Sequence, residues 1–229
     1  DDPLPDALLE VLQAAAGKEA AWLHVIGDNE KRFAVADLVG EADRIQWSNR
    51  AFRQELAAWI HPNRSVSRDG IPGYAQGISD LLSYAGPLVV RTFDMGAGQA
   101  VKDRDIAIYS PVLAVLGTDE DGPRAWMAAG QALGKVLLRA RVEDVWASFL
   151  NQPIEVAELR FRLRDVLERT GCPQALLRLG FGSEVRPTPR RSVQEVMVQE
   201  AHAVKLSVPT STTELPKRKW SETSDAGGF

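Results

Sequence analysis

The sequence predicts an α+β domain with a central mixed sheet covered by helices, and three observations lead there. Largely apolar segments at 21–26 and 175–181 and a continuous apolar run at 111–116 have strand length. Longer segments with apolar residues at helical spacing separate them. Turn formers such as Gly27-Asp28-Asn29 and Gly117-Thr118-Asp119-Glu120-Asp121-Gly122 mark the changes between the two patterns.

In chain order, Leu8, Leu9, Val11, Leu12 and Ala15 predict a helix over 6–16 that stops near Gly17, where a positive φ is easily adopted. A strand follows at 21–26, and Asp28 or Asn29 can cap the next helix. Apolar spacing from Glu30 to about Ile60 predicts two helices with a break near Ser48-Asn49. Residues 61–77 are rich in turn formers and too long for a simple connector, so they read as a functional loop or lid, with His61 as the one histidine worth testing as a proton donor.

Leu88–Phe93 fits either a strand or the tail of a helix, and Gly96-Ala97-Gly98 reads as flexible linker. Ile106–Tyr109 and Pro111–Leu116 read as a strand entering the sheet centre, because an unbroken apolar run suits burial on both faces. Pro123 opens a helix whose core face carries Trp126, Ala129, Leu133, Val136, Leu137 and Ala140. After an irregular piece at 146–154, in which Trp146 reads as core, a helix runs from about Glu155 to Glu168. A strand at 175–181 and a capping box Ser192-Val193-Gln194-Glu195 complete the domain. Residues 1–203 are thus predicted as one domain. Residues 204–229 carry too few apolar groups to fold alone and read as a disordered tail.

Composition narrows the function. With 27 Lys and Arg against 31 Asp and Glu, a net charge of −4 gives no electrostatic drive toward nucleic acid. The one cysteine, Cys172, excludes an intrachain disulfide and fits a reducing cytoplasm, and the three histidines have no metal-ligand spacing, so no metal is expected. No apolar run approaches the roughly 20 residues needed to cross a bilayer, and no membrane role is expected. Nucleophile-elbow, zinc-hydrolase and Walker motifs are absent, and Gly180-Phe181-Gly182 lacks the third glycine of a dinucleotide fingerprint. Arg190-Arg191, stiffened by Pro187 and Pro189, has the donors to grip a phosphate monoester.

Four segments in order carry a resemblance: Trp126-Met127-Ala128-Ala129-Gly130-Gln131-Ala132-Leu133; Leu150-Asn151-Gln152-Pro153-Ile154-Glu155; Pro173 through Gly182; and Pro187-Thr188-Pro189-Arg190-Arg191-Ser192-Val193. Glu55–Trp59, Asp69–Pro72 and Ala114–Asp119 agree with them. Over about residues 8–200 the chain resembles the nitroreductase superfamily, and within it the dormancy-associated branch in which two nitroreductase halves are fused, here the C-terminal half.

The resemblance implies an FMN-dependent nitroreductase fold and an NAD(P)H oxidoreductase that passes a hydride to flavin and then reduces a nitro or quinone-like small-molecule acceptor. It implies Pro153, Ile154 and Glu155 against the flavin ring and Arg190 and Arg191 on the FMN phosphate; no catalytic residue is assigned. Upstream Asn-x-Gln-Pro-Trp and Arg-x-x-Asn-Arg-Arg stretches of that branch are not in this sequence. Half of a phosphate clamp is expected to bind FMN weakly or only as a homodimer, and a flavin-binding or storage or interaction protein with impaired turnover is the alternative expectation.

Overall fold

The structure, a computed structural model, describes residues 3–76, 78–184 and 186–197. The chain divides after Arg190 into two units. The first contains α1 (Asp6–Gly17), β1 (Trp22–Val25), α2 (Asn29–Ser48), α3 (Arg50–Trp59), β2 (Ile60–His61), β3 (Ile71–Pro72), a 3-10 turn (Gly73–Gln76), α4 (Asp80–Ser83), α5 (Gly86–Thr92) and α6 (Gly96–Ile108), then β4 (Val112–Thr118), α7 (Pro123–Val142), β5 (Val145–Phe149), α8 (Gln152–Glu155), α9 (Ala157–Val166) and β6 (Cys172–Phe181). The described part of the second contains α10 (Val193–Val196), where the Glu195 carboxylate accepts a 2.7 Å hydrogen bond from the Ser192 amide, as the capping box predicts. The boundary predicted at 203/204 and the tail beyond it lie outside the described residues.

The central sheet has the order β1-β4-β6-β5, and every pairing in it is antiparallel. This corrects the expected mixed sheet. An unbroken apolar strand needs only cover on both faces, and β4 has that cover without a parallel neighbour: all seven of its residues are buried. Val112, Ala114 and Leu116 face a core built with Leu12 and Ala16 of α1 and Ala132 and Val136 of α7. Leu113 and Val115 face the opposite core, with Val35 and Val39 of α2 and Leu159 and Leu163 of α9. The domain is thus three layers, with β4 at its centre. Each fully buried leucine here contributes roughly 2 kcal/mol of apolar burial.

At the end of β4 the register shifts between Leu116 and Gly117. A side chain at Gly117 would collide with the Trp22 indole and the Cys172 carbonyl, so glycine is required there. Beyond it, Asp121 accepts from Arg160 (2.7 and 3.1 Å) and Trp126 Nε1 (2.6 Å). Arg160 and then Trp126 hold its carboxyl down at about 2. Trp126 is therefore not on the core face of α7: the residue is 54% exposed and its ring N–H anchors the turn.

Other local expectations change for identifiable reasons. The positive φ lies at Ala20 (53°), not at Gly17, because α1 runs through Gly17 before the chain turns. Leu88–Phe93 resolves as helix, α5. Gly96-Ala97-Gly98 opens α6: the Asp94 carboxylate accepts from the Gly96 amide (2.8 Å), and a side chain at Gly96 would press on Trp47 Cβ of α2. Ile106–Ile108 close that helix, and the central strand starts only at Val112. The irregular piece at 146–154 holds the edge strand β5 and the single turn α8.

Candidate functional site

The segment Asn151–Glu155 is fixed by its neighbours on three sides. Asn151 Oδ1 accepts from the Leu176 amide of β6 (2.9 Å), and Gln46 of α2 donates to the Glu155 carboxylate (2.7 Å). Pro153 is buried and Ile154 packs against the α2/α9 core. The amides of Ile154 and Glu155 both donate to Asn151 O (2.8 and 3.1 Å), and that of Val156 donates to Gln152 O (3.3 Å). These backbone donors are consumed inside the turn.

Behind the turn lies a buried polar cluster. Gln152 Nε2 donates to Asp103 Oδ2 of α6 (2.9 Å), and Gln99 Nε2 donates to the same oxygen (3.0 Å). Asp43 of α2 is 2% exposed, and its Oδ2 and Gln152 Oε1 are buried with no hydrogen-bond partner among the described residues. Burial first, and then the Asp103 charge, push the Asp43 carboxyl up to about 7, against opposing contributions from Gln152 and Arg44. Its titration thus falls near neutral pH.

On the same sheet face, beyond Leu176, a depression of about 370 Å³ opens along β5 and β6. Arg178 lines it together with Ser148, Trp146, Gly180, Phe181 and Ser183. Arg178 is half-buried and has no carboxylate partner among the described residues. The Trp146 ring lies under the Arg141 guanidinium at 4.0 Å and lines this depression, rather than filling the core as its sequence context suggests. Cation, hydroxyls and aromatic surface make this a donor set for an anionic, partly aromatic ligand.

The chain leaves β6 and returns past the 61–76 loop. Tyr74 donates its hydroxyl to Pro187 O (3.1 Å), and the Arg186 guanidinium sits 4.5 Å over the Tyr74 ring. A small cavity of about 60 Å³ between them is lined by His61, Asp69, Tyr74, Arg186 and Pro189, among others. Inside the loop, Asn63 donates to Ile78 O and to Asp80 (both 2.9 Å), and Asn63 and Arg64 hold the Asp80 carboxyl below the usual carboxylate range. Gly70 adopts φ 81°, and a side chain there would strike Trp59 O and the His61 ring. The predicted lid is therefore a folded loop that contacts the segment carrying Arg190.

Arg190 Nη1 donates to Thr188 Oγ1 (2.5 Å) and to Pro189 O (3.1 Å), so its guanidinium is held by its own segment. Arg191 opens the second unit. No described hydrogen bond or ion pair joins Pro153–Glu155 to Arg190: the first group packs on α2, α9 and β6, and the second neighbours the 61–74 loop. Sequence reasoning missed Arg178, Tyr74 and the Asp43/Asp103 pair. No helix among the described residues is long and apolar enough to cross a membrane.

No family model matches the chain. A Mycobacterium tuberculosis (strain H37Rv) protein provisionally named an NAD(P)H nitroreductase is 26% identical over 200 residues, covering 85% of this chain and 56% of its own length. An uncharacterized protein of the same strain is 28% identical over 206 residues, with 86% and 57% covered. This chain thus spans about half the length of the curated relatives it matches.

Among solved structures, the FMN and NADPH-dependent nitroreductase NfnB from Sphigopyxis sp. strain HMH superposes with a TM-score of 0.52 at 17% identity, over 87% of this chain and 91% of that one. Oxidized iodotyrosine deiodinase bound to FMN and 3-iodo-L-tyrosine superposes with a TM-score of 0.54 at 11% identity, over 86% and 89%. The chain has the α+β fold of the FMN nitroreductases, and over most of its own length it is similar in sequence to the two mycobacterial proteins.

Proposed function

We propose that the chain is the C-terminal half of a fused nitroreductase and works as an FMN-dependent NAD(P)H oxidoreductase on a nitro or quinone-like acceptor in the cytoplasm. The observation that carries this reading is the Arg178 depression, on the same sheet face as the Asn151–Glu155 turn, in a nitroreductase fold. Its donor set fits a flavin mononucleotide: a cation without a counter-charge, two hydroxyls and an indole. Pro153, Ile154 and Glu155 would border the ring, and Arg190 and Arg191 would hold the phosphate. When bound, FMN supplies the hydride chemistry, and the protein supplies position and charge. The 61–76 loop, tied to Pro187 through Tyr74, would restrict which acceptor enters.

One observation favours the second reading, a chain that holds flavin without turnover: the Ile154 and Glu155 amides are already spent on Asn151 O. A visible spectrum of the purified protein with added FMN, followed by NADPH, separates the two. A yellow protein that bleaches supports the oxidoreductase, a yellow one that stays oxidised supports the holder, and a protein that takes up no FMN refutes both.

A second copy of the chain is the proposed partner, through α7. Met127, Leu138 and Val142 are each at least 67% exposed on one stripe of that helix, and between them a side chain at Gly130 or Gly134 would meet nothing within 4 Å. Ala129, Ala132, Val136 and Ala140 occupy the opposite, buried face. Leu138→Asp should weaken self-association by at least about tenfold in sedimentation equilibrium, because it places a charge in an apolar interface, with the circular dichroism spectrum unchanged. An unaltered association constant would rule out this face.

A further inference from the structure

We propose that Arg50, Arg53 and Arg91 form a second anion site, separate from the flavin clamp, that takes the phosphate monoester of a nucleotide. The three arginines come from two packed helices, α3 and α5, and with Gln54 and Thr92 they line an open depression of about 440 Å³ that contains no acidic residue.

The chain carries more acids than bases, and its other arginines are widely ion-paired: Arg64 with Asp80, Arg104 with Asp37, Arg160 with Asp121, Arg162 with Glu41. Among the described residues Arg50, Arg53 and Arg91 have no carboxylate partner. The nearest acid in sequence to Arg91, Asp94, is engaged in capping α6 through the Gly96 amide. Arg53 is also preset: its Nη1 donates to Trp47 O and to Ser48 O (3.1 Å), and its Nε is buried without a partner. Holding like charges together without a counter-ion costs energy, and a dianion placed between planar guanidinium forks relieves it. Arg50 is the first residue of α3, where the helix dipole adds to the positive field.

Size and position refine the ligand. The depression is open and its volume of about 440 Å³ exceeds what a bare phosphate fills, so a phosphate held by the three guanidiniums has room to carry a larger body. Arg50 lies at one end of α3 and the 61–76 loop follows its other end; ten helical residues span about 15 Å, so this depression is not an extension of the cavity beside Arg186.

Isothermal titration of the full chain with AMP, inorganic phosphate and adenosine tests this. AMP should bind, phosphate should bind at least about tenfold more weakly, and adenosine should not bind. Arg50→Ala/Arg91→Ala should weaken AMP roughly a hundredfold or more, on the order of two lost charge-assisted contacts, and leave FMN uptake unchanged. Arg190→Ala/Arg191→Ala should leave AMP binding intact, which keeps this site distinguishable from the flavin clamp. Both pairs are exposed, so folding should persist, checked by circular dichroism. The proposal is overturned if AMP does not bind, if adenosine or phosphate binds as well as AMP, or if AMP binding follows the Arg190/Arg191 pair instead.

Discussion

Asp43→Asn should make the protein more stable at pH 8 while leaving it nearly unchanged at pH 4. In the unfolded chain Asp43 titrates near 3.8, whereas in the fold burial and the neighbouring Asp103 move it to about 7. Between those values the native state holds a proton that the unfolded state has released. Stability from this group is therefore complete below about pH 4 and declines as pH rises through 7. The displacement corresponds to at most about 4 kcal/mol, and relaxation of the site should bring the observed gain to about 2 kcal/mol.

Asparagine keeps the shape, never ionises and offers an N–H to the Gln152/Asp103 cluster, so the variant should lose the downward slope. Urea unfolding at pH 4.5, 6 and 8 measures it. A difference between variant and wild type that is the same at all three values would show that Asp43 does not titrate in this window.

What was legible in the sequence follows from which groups each element buries. β1, β4 and β6 stand out because they are largely apolar, and β4 is covered on both faces. β5 does not: it is a five-residue edge strand with Ser148 and Phe149 exposed, and its burial does not alternate. α6 escapes a reading by hydrophobic period because it packs on α2 through small residues. Gly40 of α2 lies so near Ala100 O that an added Cβ would sit 3.2 Å away, and Gly96, Ala100 and Ala107 are buried. Such a helix looks like a linker in composition.

The site divides the same way. The Asn151–Glu155 turn and Arg190-Arg191 were singled out through ordered resemblance, which said nothing of their physical surroundings. Asp43 and Asp103 are 60 positions apart, and only the fold makes them neighbours. One local sign was present: Asp43 continues the Ala36, Val39 stripe that faces the core of α2, a place where an unpaired carboxylate is costly. Arg178 gave a similar sign, as the lone cation of its strand, set between the buried Leu177 and Leu179.

Arg190→Ala combined with Arg191→Ala should abolish tight FMN binding, and no other pair should have so large an effect on the cofactor. Each guanidinium that meets a phosphate oxygen contributes about 1.5–3 kcal/mol as a charge-assisted hydrogen bond, so losing both weakens FMN by roughly 150-fold or more. The stiff Pro187-Thr188-Pro189 lead and the contacts of Arg190 to Thr188 and Pro189 mean that little side-chain entropy remains to be lost on binding. That preorganisation makes lysine a poor replacement, since it lacks the planar fork that donates to Thr188 and the phosphate together. Fluorescence titration of apoprotein with FMN and with riboflavin measures the effect. FMN affinity should fall to the level of riboflavin in the double variant, while riboflavin itself, having no phosphate, should bind both proteins alike. A parallel loss of riboflavin affinity would instead assign the two arginines to shaping the pocket, and unchanged FMN affinity would remove them from the site and leave Arg178 as the cation that faces the ligand.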